Sequence, residues 1–238
     1  MPYRRAFFIA AVTETFSPIA GREREILKLS LQMIENGLYW YQCTARRAER
    51  TAFLKPELEE KTLTSTTIYD GKVLHVCRDT VLLPNGVETG REYIRHVGAV
   101  AVLALTDAGE VILERQYRYP FRDVLVEIPA GKLNTPDEDP AAAALRELQE
   151  ETGLVAGKLI PLGDFYGSPA ILGERLSLFF ATDLTAGEQH TDDDEFLEVF
   201  KMPLSDLVDE IVAGNIPDGK TQAAALRAWE TLRRKETT

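Results

Sequence analysis

GKLNTPDEDPAAAALRELQEETGL, residues 131–154, joins an acidic loop with two prolines to a strong helix. Ala, Leu, Arg, Glu and Gln dominate residues 141–152, and all of them favour helix. Pro140 suits the first turn, Asp139 is placed to cap it, and Gly153 stands where a left-handed terminal residue belongs. At about 100° per residue, Glu147, Glu150 and Glu151 share one face. Ala141, Leu145 and Leu148 are expected on the opposite, core-packing side. An acidic helix face is ordinarily just solvated. Here, however, only Arg146, four residues before Glu150, offers a cation at helical spacing. Crowded carboxylates so poorly compensated also suit a hard divalent ion such as Mg²⁺ or Mn²⁺, which takes oxygen ligands and leaves room for water.

Composition narrows the partners. A chain of 238 residues accommodates one large domain, or one domain with an appendage. The net charge of −11 argues against a nucleic-acid partner held on a basic surface. A small anionic substrate stays open, because a bound divalent ion reverses the local sign. No apolar run reaches the length of a membrane span, so no membrane partner is expected. Arg4-Arg5 and the short apolar run after them are followed by Thr13, Glu14 and Thr15, which does not make a signal-peptide cleavage site. Cys43 and Cys77 lack metal-ligand spacing and form no disulfide framework, which fits a cytoplasmic location. His75, His96 and His190 are scattered and are expected to be structural or exposed.

Residues 1–56 have little regular texture. A helix is predicted over 22–34 and a strand-like aromatic stretch over 38–41, with a basic cluster at Arg46, Arg47 and Arg50. This segment reads as an extension without a catalytic role. Residues 57–96 carry three predicted strands (63–69, 73–83 and 88–96) with turns at Asp70-Gly71 and Pro84-Asn85-Gly86, an amino-terminal antiparallel sheet. Residues 97–238 form the main domain. There VGAVAVLAL, 97–105, is a strand buried on both faces, followed by strands over 111–117, 121–127, 158–166, 176–183 and 196–202. Helices are predicted over 205–213 and 221–234, the second with Asp218 as its cap. Strands interleaved with few helices point to an α+β fold.

Gly131, Glu138 and the run Arg146-Glu147-Leu148-Gln149-Glu150-Glu151-Thr152-Gly153-Leu154 resemble the signature of the Nudix hydrolases. That family cleaves nucleoside diphosphates linked to another moiety. The loop between Gly131 and Glu138 is one residue longer than the usual pattern. The flanking stretches Arg91-Glu92, Gly98-Ala99-Val100, Arg115-Gln116-Tyr117-Arg118-Tyr119-Pro120 and Glu127-Ile128-Pro129-Ala130-Gly131 look like the ADP-ribose pyrophosphatase branch. So does Ser168-Pro169 with Glu174-Arg175, although Ala170 stands where that branch usually has Gly.

The resemblance implies a mixed sheet sandwiched between helices, over roughly residues 58–235, and Mg²⁺-dependent hydrolysis of ADP-ribose to AMP and ribose 5-phosphate. Other nucleoside diphosphate sugars, a dinucleotide, or binding without cleavage by a ligand sensor are the alternatives. It further implies that the Ala130 carbonyl, Glu147 and Glu151, with Glu150 near, hold the metal, and that Arg146 fixes the glutamates. A proton acceptor is implied on the acidic loop 192–195, with Glu195 ahead of Asp193. Arg91, Arg118, Glu127 and Glu174 are implied as substrate-binding, and a homodimer that packs through the amino-terminal sheet is the implied assembly.

Overall fold

The computed structural model describes residues 56–191 and 195–236. The features read in residues 1–55, and Asp193 of the acidic loop, lie outside the described residues.

Three strands, β1 (Lys61–Asp70), β2 (His75–Leu82) and β3 (Glu88–Arg95), form the amino-terminal antiparallel sheet in that order. Gly86 turns the second hairpin at φ 82°, a conformation that glycine adopts without steric cost. β1 is exposed along its whole length.

The main domain adds β4 (Ala99–Ala104), β5 (Glu110–Arg118), β6 (Asp123–Glu127), β7 (Ala130–Lys132), β8 (Leu154–Phe165), β9 (Leu176–Ala186) and β10 (Leu197–Pro203). Its helices are α1 (Pro140–Thr152), α2 (Leu204–Ala213) and α3 (Gly219–Glu236). A mixed sheet runs β7-β4-β9-β8, with β4 and β9 parallel, and an antiparallel sheet runs β10-β5-β6. β4 is the hub. Its even-numbered residues Val100, Val102 and Ala104 pack towards Ala143, Ala144 and Leu148 of α1. Its odd-numbered residues Ala99, Ala101 and Leu103 share the other core layer with α2 and α3. A strand covered on both faces has no need of alternation, so its sequence reads as one apolar run. Each of its fully buried Val and Leu side chains contributes about 1.5–3 kcal/mol relative to exposure.

α1 has the ends that its sequence predicts. Asp139 accepts from the Ala141 amide, and Gly153 (φ 68°) donates to Gln149 O at 2.8 Å. Its roll differs from expectation. Leu145 is 39% exposed, whereas Glu151 is 3% exposed. The buried arc runs through Leu148, Ala144 and Ala143, and Glu151 falls within it, about 60° from Leu148. Small alanines let the helix lie close to the sheet, so the wider leucine is left at the edge of the contact.

Two further departures are local. β7 lies in what reads as loop, because three residues carry no periodicity. Ala170 does not take a positive φ, so the backbone there does not require a glycine. That loop instead docks on the end of β3, where Gly173 N donates to Ile94 O at 2.8 Å.

Candidate active site

α1 presents its carboxylates to the backbone of β7. The Ala130 amide donates to Glu151 Oε2 at 2.8 Å. Gly131 lies so close to Glu147 that a Cβ placed there would fall inside its carboxylate. Only glycine permits that approach.

Arg146 gathers the remaining motif acids. Its Nη1 donates to Glu147 and to Glu150, each at 2.8 Å, its Nε to Glu138 at 3.3 Å, and its Nη2 to Lys132 O at 3.3 Å. Glu138 also accepts from the Asn134 amide at 2.5 Å. The longer loop therefore closes on itself, and its extra residue is absorbed ahead of the helix.

A second set comes from β5, β6 and the start of α3. Arg118 holds Glu127 through two bonds, Nε at 2.7 Å and Nη2 at 2.8 Å, a fork that suits a carboxylate. Lys220 also donates to Glu127, and to Asp218 at 3.1 Å. Asp218 caps α3 through the Thr221 amide at 2.9 Å, and Thr221 Oγ1 in turn accepts from the Ile128 amide at 2.9 Å. Burial pushes the Glu127 pKa up, but Arg118 and Lys220 outweigh it and hold the group below the usual carboxylate value.

Elsewhere in the site the balance reverses. Burial, then the charges of Glu114 and Glu195, push Glu151 well above the usual carboxylate value. Burial and the charge of Glu195 do the same to Glu114 on β5. Glu147 is raised by burial, against the pull of Arg146. Arg146, Arg118 and Lys220 already serve Glu138, Glu147, Glu150 and Glu127. Among the described residues, Glu114, Glu151 and Glu195 make no salt bridge.

These groups surround one pocket of about 940 Å³. Its wall includes Ala130, Arg118, Arg146, Glu147, Glu150, Glu151, Glu174 and Glu195, so the structure brings together most of the residues singled out in the sequence. Glu195 accepts from Gln116 Nε2 at 3.1 Å, and Glu174 lies 3.5 Å from His96. Glu127 is buried behind Arg118. His190, expected to be structural or exposed, also reaches the wall. Arg91 is not brought to the pocket: it lies on β3, paired with Glu60 at 2.6 Å. Glu114 and Lys220 were missed in the sequence. Glu114, Gln116 and Arg118 alternate along β5, so a polar row on one face of that strand was there to be found.

Residues 95–229 match the model of the NUDIX domain, and residues 60–94 match that of the nucleoside diphosphate sugar hydrolase N-terminal domain. The chain belongs to the Nudix hydrolase family. Among its relatives, an ADP-ribose pyrophosphatase of Bacillus subtilis (strain 168) is 44% identical over 70% of this chain and 91% of its own. A methanol dehydrogenase activator of Bacillus methanolicus is 40% identical, over 74% and 97% respectively. A solved structure described as an ADP compounds hydrolase shares the Nudix fold at TM-score 0.66 and 23% identity, covering 76% of this chain and 97% of that one.

Nudix hydrolases work with a divalent metal ion, and the donors here fit one. They are hard oxygen groups with more negative charge than the neighbouring cations offset, and one buried carboxylate oxygen, Oε1 of Glu114, has no hydrogen-bond partner. Among the described residues no three such side chains already form a ligand set. Arg146 spans Glu147 and Glu150, and the Ala130 amide holds Glu151. Among the described residues, no helix is long and apolar enough to cross a membrane.

Proposed function

We propose that this Nudix hydrolase cleaves the diphosphate of ADP-ribose to AMP and ribose 5-phosphate, using Mg²⁺ or Mn²⁺. The observation that carries the reading is the meeting of α1 carboxylates with Arg118 in one pocket large enough for a nucleoside diphosphate sugar. Glu147, Glu150 and Glu151, with the carbonyl of Ala130, would hold the cation. When bound, the cation offsets charge on the diphosphate oxygens and on the departing phosphate.

The protein's own groups do the rest. Arg146 positions the glutamates through its shared hydrogen bonds. Arg118, oriented by Glu127, presents its remaining donors to phosphate, and Glu174 offers an acceptor to substrate hydroxyls. Water bonds to one phosphorus as the bridging P–O bond breaks, and the proton of that water passes to Glu195 on the pocket wall. The leaving phosphate departs as an anion.

Incubation with ADP-ribose, other nucleoside diphosphate sugars and NADH in the presence of Mg²⁺ tests the assignment. ADP-ribose is expected to have the highest kcat/KM and to yield AMP and ribose 5-phosphate in equal amounts. A competitor preferred tenfold or more would overturn the choice of substrate.

We further infer a homodimer that packs through the amino-terminal sheet. Leu63, Ile68 and Tyr69 on β1 are each about half exposed, and so small a sheet needs a second apolar surface for stability. A two-fold arrangement satisfies both copies at once. Light scattering should give twice 26.6 kDa at micromolar concentration. A value for a single chain rejects the dimer.

A further inference from the structure

Glu114 is a charged residue in a position built for an apolar one. It follows Ile112 on the same face of β5, and Ile112 packs in the layer beneath α1. Two residues further on, Gln116 holds Glu195 at the pocket wall. Across the sheet Glu114 lies opposite Glu127 of β6 and Val199 of β10, and side chains directly opposite on paired strands share a face. Glu114 is not on the pocket wall itself, but it lies near enough to Glu195 and Glu151, which are, to interact with both.

Its surroundings do not account for it. Glu114 is 3% exposed, and its Oε1 has no hydrogen-bond partner. The nearby cations Lys220 and Arg118 are both engaged with Glu127, while Glu195 adds charge of the same sign. A buried carboxylate oxygen without a partner is disfavoured, and native structures supply it with a donor, a water or an ion. Leucine or glutamine would fill the same volume at less cost.

We propose that Glu114 is a further carboxylate of the divalent-cation site, reaching the ion or a water it carries from β5 while Glu147 and Glu151 approach from α1. The inference rests on the reading of that site given above. It makes the site a junction of helix and strand, so that binding the ion clamps α1 to the β10-β5-β6 sheet.

Mn²⁺ binding by the full-length chain, followed by the loss of the free-ion electron paramagnetic resonance signal, is the direct test. Glu114→Gln preserves volume and removes charge. It is expected to bind Mn²⁺ about 10–100-fold more weakly, with a smaller rise in Tm on adding the ion. The metal-free Tm should be equal to or above that of the parent, because a buried acid whose charged form is disfavoured is gone. Parent-like affinity in Glu114→Gln overturns the proposal and leaves Glu114 a buried acid of the core. Glu151→Gln in the same titration separates the two readings. If it weakens Mn²⁺ binding and Glu114→Gln does not, only the assignment of Glu114 falls. If neither variant changes binding, the cation site itself is misplaced. Should Glu114→Gln fail to fold, Glu114→Asp, which keeps the charge but retracts it by one methylene, carries the test with the same expected loss.

Discussion

Glu151→Gln is expected to lower kcat by about 10³-fold or more, roughly 4 kcal/mol of transition-state stabilisation, in a protein that folds as the parent does. The two halves of that expectation have separate causes. Glu151 lies in the buried arc of α1, and its Oε2 accepts from the Ala130 amide. A glutamine has the same shape and still offers an oxygen there, so the packing of α1 on β7 persists. What disappears is the ability to carry a negative charge among Glu114, Glu147 and Glu195, an ionisation that burial and those neighbours oppose until a cation is bound. In the metal-free protein that loss is neutral or stabilising, since burial penalises the charged form. In the working enzyme the same loss removes the charge that would hold the cation on the diphosphate. Thermal unfolding without metal and turnover at saturating Mg²⁺ measure the two effects independently. A variant that turns over at the parental rate would show that Glu151 is no ligand.

How much of this could be read in the sequence depends on how local each feature is. The ends of α1 were legible because Asp139, Pro140 and Gly153 act within one turn of the helix. β4 was legible because burial on both faces leaves a continuous apolar run. The grouping of Glu147, Glu150 and Glu151 follows from helical spacing alone, but the roll of the helix does not. Leu145 and Glu151 exchange their expected environments because the sheet selects the narrow alanine side, a choice made in three dimensions. β7 was missed since Ala130-Gly131-Lys132 is strand only by virtue of its pairing with β4. Lys220 and Glu127 are 93 residues apart and meet only when α3 docks behind β6. Glu114 had a local signal, an acid within the run VILE at 111–114. Its meaning required the register that sets it opposite Glu127.

Glu195→Gln should behave differently from Glu151→Gln. A carboxylate that only accepts a proton from water contributes about 10²–10⁴-fold, and its absence matters less as hydroxide becomes available. The variant is therefore expected to lose that factor in kcat near neutral pH, to recover part of it as pH rises, and to need Mg²⁺ at nearly the parental concentration. A ligand variant would shift the Mg²⁺ requirement instead. Glu195 is suited to the role because it stands on the pocket wall and accepts from Gln116 at 3.1 Å, which aims one oxygen and leaves the other for water. Asp193→Asn, on the same acidic loop, should be milder. Profiles of kcat against pH and Mg²⁺ for both variants decide between them. A larger, pH-rescued loss in Asp193→Asn would transfer the role to Asp193. Losses of no more than a few-fold in both would move it to Glu150, whose side chain is 40% exposed and linked to Arg146 at 2.8 Å, and which would have to leave that arginine to reach the water.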